Sequence, residues 1–89
     1  MIETATDRPD KTSGLEINPV TDGYIIYQAD RDRVHYLNQT AAIVFELCNG
    51  QNVSVDLARM LQQAWQLASP PIEEVTECLD MLRREGLIH

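Results

Sequence analysis

Arg33-Val34-His35-Tyr36-Leu37-Asn38-Gln39-Thr40-Ala41-Ala42 reads as a strand that runs directly into a helix. Val34, His35, Tyr36 and Leu37 are β-branched, aromatic or large, which suits a pleated, half-buried surface. Asn38 suits a helix N-cap, because its side-chain oxygen can accept from a free backbone N–H one turn in. The two alanines then begin a helical pattern. Upstream of this stretch the chain reads as strands, and downstream as helices. The sequence therefore predicts a binding surface where the two halves meet.

Working back from Arg33, Ala29-Asp30-Arg31-Asp32 is a polar turn. Tyr24-Ile25-Ile26-Tyr27 is a second strand, and its unbroken apolar run predicts that both faces are partly covered. Asp22-Gly23 signals a turn. Leu15-Glu16-Ile17 alternates and is stopped by Pro19, which predicts a short strand at an edge. Three short strands with tight turns give an antiparallel meander. Met1 to Gly14 mixes Thr, Asp, Pro, Lys, Ser and Gly with almost nothing apolar, and reads as a mobile tail. The folded domain is expected over residues 15–89.

Working forward, the first helix is expected from Gln39 to Asn49. Ala41, Val44, Phe45 and Cys48 share one face, which Ile43 and Leu47 widen. Gly50 is placed for the left-handed position after it. Ser54 is the expected N-cap of a second helix, with Leu57, Ala58, Leu61, Ala64, Trp65 and Ala68 on its apolar side and Trp65 in the core. Ser69-Pro70-Pro71 breaks the chain, and Pro71 suits the first position of a third helix. Ile72, Val75, Leu79 and Leu82 form one stripe on that helix. Cys78 and Met81 form a second beside it. Gly86 caps its end, and Leu87-Ile88 can fold back on the last turn. The predicted class is α+β and winged-helix-like, with a three-stranded antiparallel sheet followed by three helices packed on one face.

Eighty-nine residues make one small domain, and 44% apolar content is normal for a globule. No stretch approaches the roughly 20 apolar residues of a membrane span. A cytoplasmic protein without a membrane anchor is the expectation. The net charge of −7, with only seven Lys and Arg, argues against nucleic acid. Cys48 and Cys78 stand alone in helical patterns and read as small buried hydrophobes, not as a disulfide or zinc framework. His35 is the only internal histidine, and no motif pairs it with a nucleophile. Glu73, Glu74, Glu77 and Asp80 suit the start of a helix or a charged rim. The expectation is no catalytic residue, no metal and no cofactor.

Surfaces remain. The third strand has one neighbour along the chain, so its other side is either covered or an open edge. Open edges are usually protected unless something pairs there. An added peptide strand gains about 1 kcal/mol per hydrogen bond but loses roughly 1–2 kcal/mol per ordered residue. Apolar anchors must then supply the affinity, and Cys78 and Met81 are a plausible floor for them, although core packing explains the same spacing.

Asp22-Gly23, Val34 to Ala42, Asn49-Gly50 before Val53-Ser54-Val55, and Leu79-x-x-Leu82-x-x-x-Gly86-Leu87-Ile88 together resemble the coenzyme PQQ synthesis protein D (PqqD-like) family. That family shares the recognition-element domain of many pathways for ribosomally made, modified peptides. The resemblance covers Leu15 to Ile88. It implies a winged-helix-type fold and a peptide chaperone that presents a precursor's leader to a radical S-adenosylmethionine enzyme. It also implies that the leader adds beside the third strand, along Val34, His35, Tyr36 and Leu37, and faces Glu74, Val75, Cys78, Met81 and Leu82. The resemblance supports leader-peptide binding more directly than PQQ biosynthesis itself. Asn38, Ala41, Gly50 and Gly86 are better explained as caps and packing than as contacts.

Two other readings fit the same order of elements. A winged-helix nucleic-acid-binding regulator would need a basic recognition helix, whereas the third helix begins with acidic turns. A small structural subunit could use the open edge to dimerise, so both monomer and homodimer are compatible with the sequence.

Overall fold

The computed structural model describes residues 8–89. The chain forms β1 (Leu15–Val20), β2 (Gly23–Gln28) and β3 (Arg33–Asn38), then α1 (Gln39–Leu47), α2 (Ser54–Trp65) and α3 (Ile72–Arg84). The strands make one antiparallel sheet in the order β1-β2-β3. This is the predicted α+β layout of three strands followed by three helices. No helix is long and apolar enough to cross a membrane among the described residues.

The β1–β2 turn brings Gly23 opposite Asn38 at the far end of β3. A Cβ on Gly23 would run into the Leu37 carbonyl. The Asp-Gly pair is thus as much about close approach between strands as about the turn. The β2–β3 connection is a short 3-10 turn, Ala29–Arg31, closed by Asp32 in the left-handed region.

Alternation then sorts the side chains by face. Ile26 and Leu37 point inward and are buried. Val34, Tyr36 and Ile25 point outward and are 67%, 56% and 38% exposed. The apolar run in β2 predicted cover on both faces, but the helices cover only one. β1 extends through Pro19 to Val20. It is an edge strand, so a missing N–H is tolerated on its outer side.

Asn38 caps α1 as its side chain predicts, with Oδ1 accepting from Ala41 N–H at 2.9 Å. Ala41, Ala42, Val44 and Phe45 bury the inner face of α1. That face meets β2, β3 and α3, and α3 packs in turn on α2. The core therefore lies between the sheet and α1, and between α1 and the other two helices. Tyr24 contributes an edge-on contact to the Phe45 ring, 6.4 Å between centroids.

Several helix boundaries differ from the sequence reading. α1 ends at Leu47, so Gly50 (φ +80°) shapes the loop instead of capping the helix. Ser54 is the first residue of α2, and Val53 holds the cap position without a side-chain bond. Trp65 is the last residue of α2 and 41% exposed. Its spacing matched the apolar stripe, but α2 stops there and no further turn covers the ring. Pro71 caps α3 from outside, and Ile72 is 45% exposed. Gly86 closes α3 with φ +78°, and Leu87 N–H donates to Leu82 O at 2.9 Å. Leu87 and Ile88 are buried by that return.

The predicted tail also requires correction where it is described. Pro9 is fully buried. Asp10 and His89 exchange backbone bonds of 3.0 and 2.9 Å, and Thr12 N–H donates to Leu87 O at 3.0 Å. Lys11 Nζ donates to the free carbonyls of Glu46 and Cys48 at 3.0 and 3.3 Å, and so caps the end of α1. A segment poor in apolar residues is ordered by backbone pairing, which composition does not report. The first part of the predicted tail, residues 1–7, lies outside the described residues.

Candidate functional site

Among the described residues β3 pairs with β2 alone, and no described strand pairs with its other edge. α1 packs on β3 and on α3, which sets these two elements on neighbouring sides of one helix. Two contacts fix their relative direction. Glu85, just after α3, has Oε1 3.7 Å from Arg33 Nη2 and 3.6 Å from His35 Nδ1 at the start of β3. Glu74, in the first turn of α3, lines the same cavity as Thr40, just beyond the end of β3. β3 and α3 therefore run in opposite senses. Their lengths match: six extended residues and 13 helical residues each span about 20 Å.

The sequence-predicted residues fall into distinct places along this track. Val34 and Tyr36 lie exposed on the outer face of the sheet. Leu37, Val75 and Leu82 are core, at 2%, 1% and 0% exposure, so their side chains are closed to a ligand in this state. Cys78 and Met81 are half-buried on α3 and pack against the core with part of their surface free. Glu74 is exposed.

His35 is held in a polar knot that the sequence did not reveal. Gln28, buried at the end of β2, donates from Nε2 to Gly86 O at 3.4 Å. Its Oε1 is then the acceptor for His35 Nε2–H at 3.0 Å. The other ring nitrogen, Nδ1, faces the Glu85 carboxylate at 3.6 Å. The knot ties the start of β3 to the end of α3. Gln28 gave no signal in the sequence, because an inward polar residue at a strand end looks like an ordinary turn flank.

Neither thiol is an activated nucleophile. Burial pushes the Cys48 thiol up to about 12, and its Sγ–H donates to Val44 O at 3.2 Å. Burial also raises Cys78. Only the thiolate attacks, so both groups sit on the unreactive side of their titration at neutral pH. Among the described residues, no three His, Cys, Asp or Glu side chains gather into a metal-sized cluster.

Concavities among the described residues flank α1. One, of about 280 Å³, lies between Tyr24 and the outer side of α1, where Tyr24 Oη donates to Glu46 at 2.8 Å. Another, of about 260 Å³, is more enclosed and lies among Val44, Leu61, Trp65, Leu67 and Val75. The second was missed in the sequence because its lining comes from every helix and from the α2–α3 connection.

Comparison with known proteins bears on the whole arrangement. The family model for coenzyme PQQ synthesis protein D (PqqD) matches residues 23–88, from the first residue of β2 to the end of the return after α3. Searches of curated proteins and of solved structures each gave no match. The span takes in both strands of the β2–β3 hairpin, the edge, and all of the helices. The chain belongs to the coenzyme PQQ synthesis protein D family.

Proposed function

We propose that this protein is a non-catalytic peptide chaperone of PQQ-type biosynthesis. It takes the leader of a ribosomally made precursor as a fourth strand on β3 and presents it to a radical S-adenosylmethionine enzyme. The observation that carries the reading is the edge of β3 that no described strand pairs with, with α3 held on the neighbouring side of α1 and running in the opposite sense over the same length. Membership of the family supports it.

The energetics assign roles within the track. Backbone pairing along six residues gains about 6 kcal/mol and is offset by a similar ordering cost. A micromolar complex needs about −8 kcal/mol, so buried apolar contact must provide most of it. Cys78 and Met81 are the half-buried apolar side chains of α3 and are the natural floor. Met suits a surface that adapts to its ligand. Leu37, Val75 and Leu82 act beneath them as support. His35 contributes through the knot that holds β3 to α3, and Glu74 through charge at the other end of the track.

The test is a titration of the labelled chain with a precursor leader encoded beside its gene, followed by amide NMR. Shifts clustered at Val34–Leu37 and at Cys78–Leu82 are expected. Shifts elsewhere, or none at millimolar peptide, would remove the edge from the mechanism. Met81→Glu should weaken binding by about 2 kcal/mol, as for a buried anchor. Unchanged affinity in that variant would exclude the floor.

A further inference from the structure

We propose that the cavity at the corner of α1, α2 and α3 is a docking site for a second, protein partner. That partner inserts one large apolar side chain and carries Lys or Arg beside it. Four observations lead there.

The space is sufficient: an apolar cavity of about 150 Å³ holds benzene, and this one measures about 260 Å³. Its walls are apolar, from Val44 on α1, Leu61 and Trp65 on α2, and Leu67 in the connection. It is held ready in the free chain. Gln66 takes a left-handed conformation (φ 55°), and Leu67 N–H donates to Gln62 O at 2.9 Å, which folds Leu67 back over the last turn of α2. Trp65 and Leu67 of its lining are 41% and 38% exposed, and Ile72, next in sequence to the lining residue Pro71, is 45% exposed. Apolar surface concentrated at one corner and rimmed by charge marks an interaction site.

The charge selects the occupant. Glu74 lines the cavity, and Glu73 is exposed beside it in the first turn of α3. A second copy of this chain, itself at −7, would be repelled, as would an anionic ligand. A basic partner is attracted. No residue of β3 lines the cavity, whereas Glu74 and Val75 of α3 belong both to its lining and to the proposed leader track, so the two sites meet along α3. The inference stands on the corner's own chemistry and does not require that the edge binds a leader.

Trp65 is the only tryptophan, so its emission reports the site directly. The probes are two end-capped pentapeptides, Gly-Lys-Phe-Lys-Gly and Gly-Glu-Phe-Glu-Gly, titrated into the full chain at millimolar concentrations. The expected result is a saturable change of Trp65 emission. The basic peptide should bind roughly threefold tighter, the weight of one exposed ion pair. Amide shifts should fall at Thr40, Val44, Leu67 and Val75, without shifts at Val34–Leu37. Glu74→Gln should reduce the preference, and Leu67→Glu should abolish saturation with the circular dichroism spectrum unchanged. Four results would overturn the proposal: no saturation, equal or reversed charge preference, shifts confined to β3, or Trp65 emission that depends on protein concentration alone. The last would assign the corner to a second copy.

Discussion

Burial gives the Cys48 thiol a pH signature. Its folded value is raised from 9.0 to about 12, first by desolvation, with Lys11 pulling the other way. Below pH 9 both folded and unfolded chains keep the proton, and the group adds no pH dependence. Between pH 9 and about 12 the unfolded chain loses it while the folded chain does not. Stability is therefore fully present below pH 9 and falls as pH rises. Cys78, raised by burial, and Tyr24, raised first by its bond to Glu46, act in the same direction. Urea unfolding under reductant from pH 8 to 10.5 should show a falling midpoint, and Cys48→Ala should fall less steeply. Parallel slopes for the two proteins would remove Cys48 as a cause. The placement of Cys48 was legible, because its spacing from Ala41, Val44 and Phe45 puts it on the buried face. The half-exposure of Cys78 was not, because a second stripe on a helix looks the same whether a neighbour covers it or a ligand does.

At the scale of elements, the junction of β3 and α1 depends on two small groups with different jobs. Asn38 supplies one capping bond, so Asn38→Ala should cost about 1 kcal/mol, or about 4–8 °C in Tm for a chain of this size. Gly23, opposite Asn38, supplies the absence of a side chain. Gly23→Ala would force Leu37 and its strand aside, since the obstacle is backbone that cannot rotate away. A loss of about 2 kcal/mol or more is expected, together with broadened amide signals along β3. Equal thermal shifts in the two variants would mean that the β2–β3 spacing yields more readily than its geometry implies. The cap could be read from the sequence because Asn38 precedes a helical pattern by one residue. The close approach could not, because an Asp-Gly turn has the same sequence whether or not a third strand lies against it. The same limit explains Trp65. Its spacing from Leu57, Ala58 and Leu61 matches the apolar face, but periodicity says nothing about where neighbouring helices end.

Over the whole molecule, the order of strands and helices was legible because each element carries its own period and its own stop signal. The edge position of β3 was legible, since it follows from chain order. The cavity and the Gln28–His35–Glu85 knot were not, because each joins residues far apart in sequence without a local pattern. The docking of residues 9–12 belongs to the same class, and its contribution can be estimated. Pro9, Asp10 and Thr12 make four backbone bonds to Gly50, Leu87 and His89. Lys11 Nζ adds two bonds to the end of α1, and Thr12 Oγ1 adds one of 2.7 Å to Gly86 O. Seven bonds at about 1 kcal/mol each are opposed by about 1.5 kcal/mol for each of the four ordered residues. Burial of Pro9 adds about 1 kcal/mol. The net is about 2 kcal/mol in favour of docking. A chain beginning at Ser13 should therefore melt about 8–16 °C below the full chain. It should also exchange the amides of Gly50, Leu87 and His89 faster, because their protection depends on the segment or on the return it covers. Lys11→Met should retain the backbone pairing and lose only the α1 cap, with a fall of about 1–2 kcal/mol. If the shortened chain instead melts with the full chain, backbone pairing there is balanced by its ordering cost, and β1 is the true start of the folded domain.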